Sequence, residues 1–207
     1  MKDLDFVHKF FPGASGNDVV LLLLHGTGGD ENDLIPLGRA LMPDAALLSL
    51  RGKVLENGMP RFFRRVAEGV FDIEDLKFRT RELSDFLNAA REEYGLSKAR
   101  FMAVGYSNGA NIAVSLMLLY PAQLSAAVLF RAMVPFEPDA RTSLANVSVF
   151  MGAGQRDPIA RKEITLELKK ILERGGAAVT LHWHNGGHEL GDDDLVAAQQ
   201  WIRGRAV

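Results

Sequence analysis

Residues 19–24, Val-Val-Leu-Leu-Leu-Leu, constrain the fold most, because they are apolar at every position. A strand with one wet face alternates polar and apolar side chains, whereas a strand covered on both faces carries apolar residues throughout. The run is far too short to cross a bilayer and suits a buried strand. It therefore predicts a central β-strand sandwiched between two helical layers.

The rest of the chain repeats the theme. Aliphatic or aromatic runs at residues 6–11, 45–50, 101–104, 126–130, 147–151 and 179–183 alternate with stretches of helical spacing at 33–41, 75–94, 108–119, 164–172 and 195–202. The longest of these sets Leu76, Leu83, Phe86, Leu87 and Ala90 on one face and stops at Gly95, while Pro121 closes the next. Such alternation predicts an α/β fold, a mostly parallel twisted sheet with helices on both faces. No repeat or Pro/Gly/Ser-rich linker divides the 207 residues, so one domain is expected over residues 1–207.

Charge and cysteine usage exclude several function classes. A formal net charge of −2 leaves no basic excess for nucleic acid. The absence of cysteine removes disulfides, thiol nucleophiles and Cys-ligated metals. The first five residues mix charges without a signal-peptide core, which predicts a cytoplasmic protein with no stable membrane association. Self-association into a homodimer is left open.

The chemistry concentrates at Gly105-Tyr106-Ser107-Asn108-Gly109, a Gly-x-Ser-x-Gly sequence with an apolar strand before it and an apolar helix after it. Flanking glycines allow a sharp strand-to-helix turn that projects the serine from its apex. A serine hydroxyl needs a base, and a histidine base needs a carboxylate to fix its tautomer. In the corresponding chain order, Asp157 and His188 each follow the carboxyl end of a predicted strand, on the rim where Ser107 sits. Asp157 also suits a helix N-cap, given Pro158 after it, a role compatible with catalysis. Asp192, Asp193 and Asp194 rival it by residue type but read as the acidic first turn of the last helix. Backbone amides of Thr27, in the Gly-rich loop after the most apolar strand, and of Asn108 are the expected oxyanion donors.

Four blocks in order, Leu24-His25-Gly26-Thr27-Gly28-Gly29-Asp30-Glu31, Gly105-Tyr106-Ser107-Asn108-Gly109-Ala110-Asn111, residues 152–158 and Gly187-His188-Glu189, resemble the carboxylesterase/phospholipase group of α/β-hydrolases, which includes the acyl-protein thioesterases. The resemblance runs from about residue 19 to the carboxyl terminus and implies a Ser107–His188–Asp157 triad with Thr27 and Asn108 at the oxyanion hole. Two departures exist. Thioesterases of the group usually carry Gln where Asn108 stands, as a bacterial carboxylesterase-like branch does not, and Ser-Gly where Arg131-Ala132 stands.

The expected activity is hydrolysis of small to medium carboxylic esters, or thioesters, through an acyl-enzyme on Ser107. The alternatives are a thioesterase or lysophospholipase acting on long acyl chains, and a ligand-binding protein on a hydrolase scaffold. A dienelactone-hydrolase-like activity is disfavoured, because those enzymes resemble this fold but use cysteine. Phe62 and Phe63, in a segment (57–65) that mixes aromatics with arginines, are candidates for a substrate wall, as are Met133 and Phe136 after the strand ending at residue 130. Arg131 would either favour substrates with an acidic group or form a structural salt bridge. His25 reads as a prop for the oxyanion loop. His182 and His184 share a strand face without an evident third ligand, so no metal site is expected, and no cofactor is implied. Residues 131–146 are too few for a large cap, which predicts an open site.

Overall fold

A computed structural model describes residues 4–138 and 142–204; Met1, Lys2 and Asp3 of the charge-mixed start lie outside them. Its central sheet contains β1 (His8–Phe11), β2 (Val19–Leu24), β3 (Ala46–Leu50), β8 (Arg100–Tyr106), β9 (Ala126–Phe130), β10 (Ser148–Gly154) and β11 (Ala178–His184). The spatial order is β1-β3-β2-β8-β9-β10-β11. Every neighbouring pair is parallel except β1 with β3.

The two-sided burial expected of β2 is realised residue by residue. Val20, Leu22 and Leu24 enter one core with Leu76, Leu83 and Phe86 of α2 (Ile73–Glu93), Ile112 and Leu116 of α3 (Asn108–Leu119), and Leu168 and Ile171 of α4 (Lys162–Arg174). Val19, Leu21 and Leu23 face the other way, toward Leu41 of α1 (Ile35–Leu41) and Ala198, Trp201 and Ile202 of α5 (Asp192–Arg203). Fully burying each such side chain is worth about 1.5–3 kcal/mol. A polar substitution anywhere in β2 would therefore damage one layer or the other.

Three strands run further toward the rim than their apolar runs suggest. Gly105, Gly152 and Gly154 continue β8 and β10 without a side chain to mark them, and His184 ends β11. The first strand is shorter than residues 6–11. Helix α2 starts earlier than predicted because Asp72 caps it, accepting the Asp75 N–H at 3.1 Å. Residues 54–71, without clean periodicity, form two small antiparallel ribbons, β4 (Val54–Glu56) with β5 (Met59–Arg61) and β6 (Arg65–Ala67) with β7 (Val70–Phe71). Strands of two or three residues carry too few positions for alternation to register. Between β9 and β10 the described residues contain no helix, so no helical cap covers the carboxyl-terminal rim there.

Candidate active site

Ser107 occupies the turn between β8 and α3 with φ 51° and ψ −112°, a left-handed conformation costly for a residue with a Cβ. Its surroundings over-determine that turn. A Cβ on Gly105 would stand 2.7 Å from the Ala110 Cα, and one on Gly109 would stand 2.0 Å from the Leu24 carbonyl oxygen. The two glycines thus let α3 close onto β2 and β8 while Ser107 points outward.

The loops after β10 and β11 bring Asp157 and His188 to it. Ser107 Oγ lies 2.9 Å from His188 Nε2, and His188 Nδ1 lies 2.8 Å from Asp157 Oδ2. An ionised carboxylate only accepts, so Nδ1 carries the proton and Nε2 is free to accept from the serine hydroxyl. The other oxygen of Asp157, Oδ1, accepts the Ile159 and Ala160 amides at 2.8 and 2.9 Å. Asp157 therefore caps the turn that follows it and faces the histidine at once; α4 begins later, at Lys162. Burial disfavours its charge, but hydrogen bonds from His188 and the two amides outweigh burial and hold the carboxyl below its ordinary value. Tyr106 supports the same loop, donating to the His188 carbonyl at 3.0 Å.

Thr27 and Asn108 border the cavity at Ser107. Asn108 is the first residue of α3, so its amide has no partner within the helix and stands at the positive end of the helix dipole. His25 lies beneath the loop, buried, with Nδ1 2.6 Å from the Gly26 carbonyl and Nε2 accepting the Gly52 amide at 2.9 Å. Nδ1 is thus the protonated nitrogen. Desolvation lowers the pKa of this imidazole and keeps it neutral, as a structural prop.

The cavity at Ser107 measures about 190 Å³ and includes Arg61, Arg65, Phe71, Met133 and Ile159 in its walls. Met133 stands in that wall, its amide donating to the Asn111 side chain at 2.7 Å. Phe62 and Phe63 are not wall residues. They are 1% and 0% exposed, with Phe62 against His25 and Phe63 against Phe71, because the segment turns its aromatics into the core and leaves Arg61 and Arg65 on the wall. Phe136 also packs on the core, with Lys77 Nζ 5.8 Å from its ring centre. Arg131 faces no substrate: its guanidinium pairs with Asp194 at 3.1 and 2.6 Å, both side chains being at most 1% exposed. It also donates to the carbonyls of Gly187 and Glu189, either side of His188.

Arg61, Arg65, Phe71 and Ile159 carried no individual signal in the sequence. Ile159 could have been found from its place two residues after Asp157; the others depend on how the ribbons fold. His184, Asp193 and Asp194 bring potential metal donors together among the described residues. Those atoms already have protein partners, since Asp193 Oδ1 lies 2.6 Å from His184 Nδ1 and Arg131 takes both oxygens of Asp194. His182 stacks on Phe150 at 6.2 Å.

Known proteins share this architecture. The sequence profile described as the Dienelactone hydrolase family matches residues 62–190, which include Ser107, Asp157 and His188. MhqD of Bacillus subtilis (strain 168), named as a hydrolase, is 50% identical over 196 residues, 95% of this chain and 97% of that protein. The Bacillus cereus carboxylesterase structure is 50% identical, with a TM-score of 0.94 over 97% of this chain and 94% of that one. A carboxylesterase from Mesorhizobium loti, 33% identical, gives a TM-score of 0.91 over 99% of this chain and 98% of that one.

Proposed function

Because the chain belongs to the dienelactone hydrolase family and is a carboxylesterase-like hydrolase, we propose that it cleaves small to medium carboxylic esters through an acyl-enzyme on Ser107. The observation that carries this reading is the unbroken hydrogen-bonded chain from Ser107 Oγ through His188 to Asp157. His188 Nε2 takes the hydroxyl proton as Oγ attacks the ester carbonyl, and the Asp157 carboxylate stabilises the resulting imidazolium. The amides of Thr27 and Asn108 receive the carbonyl oxygen as it becomes negative. His188 then returns the proton to the departing alcohol, and a water activated by the same nitrogen releases the acid. The reaction needs no group beyond these side chains and amides.

A serine here, in a chain without cysteine, supports oxygen-ester chemistry by a hydroxyl nucleophile; thioesters would react by the same steps. Substrate size follows from the cavity. Sites for drug-sized ligands occupy roughly 300–1,000 Å³, so about 190 Å³ suits a short acyl group. Beside it, sharing Gly69, Met133 and Ile159, lies a cleft of about 560 Å³ that gives a medium chain or a leaving group somewhere to go.

Ser107→Ala should lower p-nitrophenyl acetate turnover by about three orders of magnitude or more, and a fluorophosphonate should label Ser107. Labelling at Ser115 or Ser125 with Ser107 unmodified would overturn the assignment.

A further inference from the structure

The first ribbon after β3, with its flanking residues, does more than sit beside the cavity. Four hydrogen bonds join residues 52–62 to the two backbone segments that flank Ser107. Gly52 N–H reaches His25 Nε2 at 2.9 Å, and the Pro60 carbonyl accepts the Gly28 amide at 2.9 Å. Arg61 Nη1 reaches Thr27 Oγ1 at 2.5 Å, and Phe62 N–H reaches Asn108 Oδ1 at 2.7 Å. Two of the four therefore land on Thr27 and Asn108, the residues whose amides would hold the oxyanion.

Arg61 stands out among these contacts. It is 3% exposed, its Nε lies 3.1 Å from Glu56 and donates to the Phe63 carbonyl at 3.2 Å, and its head borders the cavity beside Ser107. Burying a guanidinium is costly, and a segment whose task was only to cover the core would be better served by an apolar side chain of similar volume. The charge is also under-matched. Glu56 is shared, one oxygen facing Arg61 and the other Arg65 at 2.8 Å, so two cations meet one carboxylate at the edge of the cavity.

We propose that Arg61 is a positioning residue for the oxyanion hole: it fixes the Thr27 amide through the Thr27 hydroxyl and adds positive potential where the carbonyl oxygen becomes negative. The inference rests on the Ser107 acyl-enzyme reading. Oxyanion donors act only when placed within about half an ångström of the productive geometry, and losing one costs roughly 10²–10³ in kcat. A donor kept but allowed to drift should cost less than that.

The test is Arg61→Met, which retains a long apolar stem and removes the charge and the donors. Its kcat on p-nitrophenyl acetate should fall about ten- to a hundredfold with KM within a factor of about three, because the interaction is realised in the transition state. Phenylboronic acid, which forms a tetrahedral adduct with Ser107, should weaken by a similar factor. Arg61→Lys should recover part of both losses. Thr27→Val removes the hydroxyl and keeps the Arg61 charge in place, so it reads the same contact even if Arg61→Met fails to fold; it should lower kcat, and should add little to the loss in Arg61→Met. A raised KM with wild-type kcat, or wild-type boronate affinity in both variants, would overturn the proposal. Those results beside an inactive Ser107→Ala would sink the role of Arg61 alone, whereas an active Ser107→Ala would sink the acyl-enzyme reading itself.

Discussion

Two buried arginines brace two different loops beside Ser107, and they are not equivalent. Arg131 supports the His188 side, donating to the carbonyls of Gly187 and Glu189 while Asp194 matches its charge with both oxygens. Arg61 supports the Thr27 side, but the carboxylate it faces is divided with Arg65. The first pair lies closed within the protein, and the second borders a cavity. A buried charge that is fully matched fixes a loop and leaves almost no field outside. One that is under-matched beside a cavity leaves positive potential where a reacting group would stand. The difference predicts that disturbing Arg131 reads out chiefly as stability, and disturbing Arg61 chiefly as rate.

The largest effect expected on the His188 side comes from Asp157. Asp157→Asn should lower kcat by about 10⁴, because the imidazole loses the acceptor that fixes its tautomer. The same variant carries a pH signature. The Asp157 carboxyl titrates lower in the fold than in the unfolded chain. Its contribution to stability is therefore complete above the unfolded carboxylate range and is lost as pH falls through the folded value. Urea unfolding across acid pH should show that limb in the wild type and a shallower one in Asp157→Asn. Near-normal turnover in the variant would mean that the histidine is oriented by something else.

Next in size is the closed pair. Asp194→Asn should cost about 3–5 kcal/mol, since it strands a buried guanidinium, and Arg131→Met with Asp194→Leu should recover much of that loss. Unfolding free energies of these two variants against the wild type measure this directly. Asp192, in the same first turn, faces solvent, and its loss should cost only about 0.3–1 kcal/mol through the helix dipole. Equal costs at positions 192 and 194 would erase the distinction drawn between the two arginines.

The same two sides differ in how far the sequence revealed them. Ser107 follows a strand end directly and Asp157 and His188 follow theirs after short loops, so strand order and residue type point to them without any knowledge of packing. Asp194 is legible as part of an acidic first turn, but its burial against Arg131 depends on α5 docking beside β10 and β11, a long-range contact with no local pattern. Arg131 drew attention because it ends a strand, yet position alone could not tell an outward guanidinium from one folded back toward α5. The oxyanion side was read through Thr27 and Asn108, while the bonds that hold them come from residues 52–62, whose strands are too short for periodicity to register. Phe62 and Phe63 were drawn to the wall for the same reason. Aromatics and arginines are mixed there without a clean period, and which of them turns inward is decided by the core beneath.

The smallest effect tests the cavity. Phe71, Met133 and Ile159 give it apolar walls, and Val70, Pro158 and Ile164 extend them along the adjoining cleft. Each methylene these walls cover should contribute about 0.8 kcal/mol, close to a fourfold gain in kcat/KM if it is felt in the transition state. In a series of p-nitrophenyl esters from acetate to palmitate, kcat/KM should therefore climb over the first few added carbons and then level off, as the chain passes Ile164 into water. Narrowing the cavity with Met133→Phe should move the plateau to shorter chains while leaving acetate almost unaffected, because the first carbons sit nearest Ser107. A rise that continues to palmitate in monomeric solution would require a covered channel much longer than these walls provide, and would favour a thioesterase or lysophospholipase acting on long chains. An unchanged chain-length profile in Met133→Phe would place the acyl group elsewhere, on the side lined by Arg61 and Arg65.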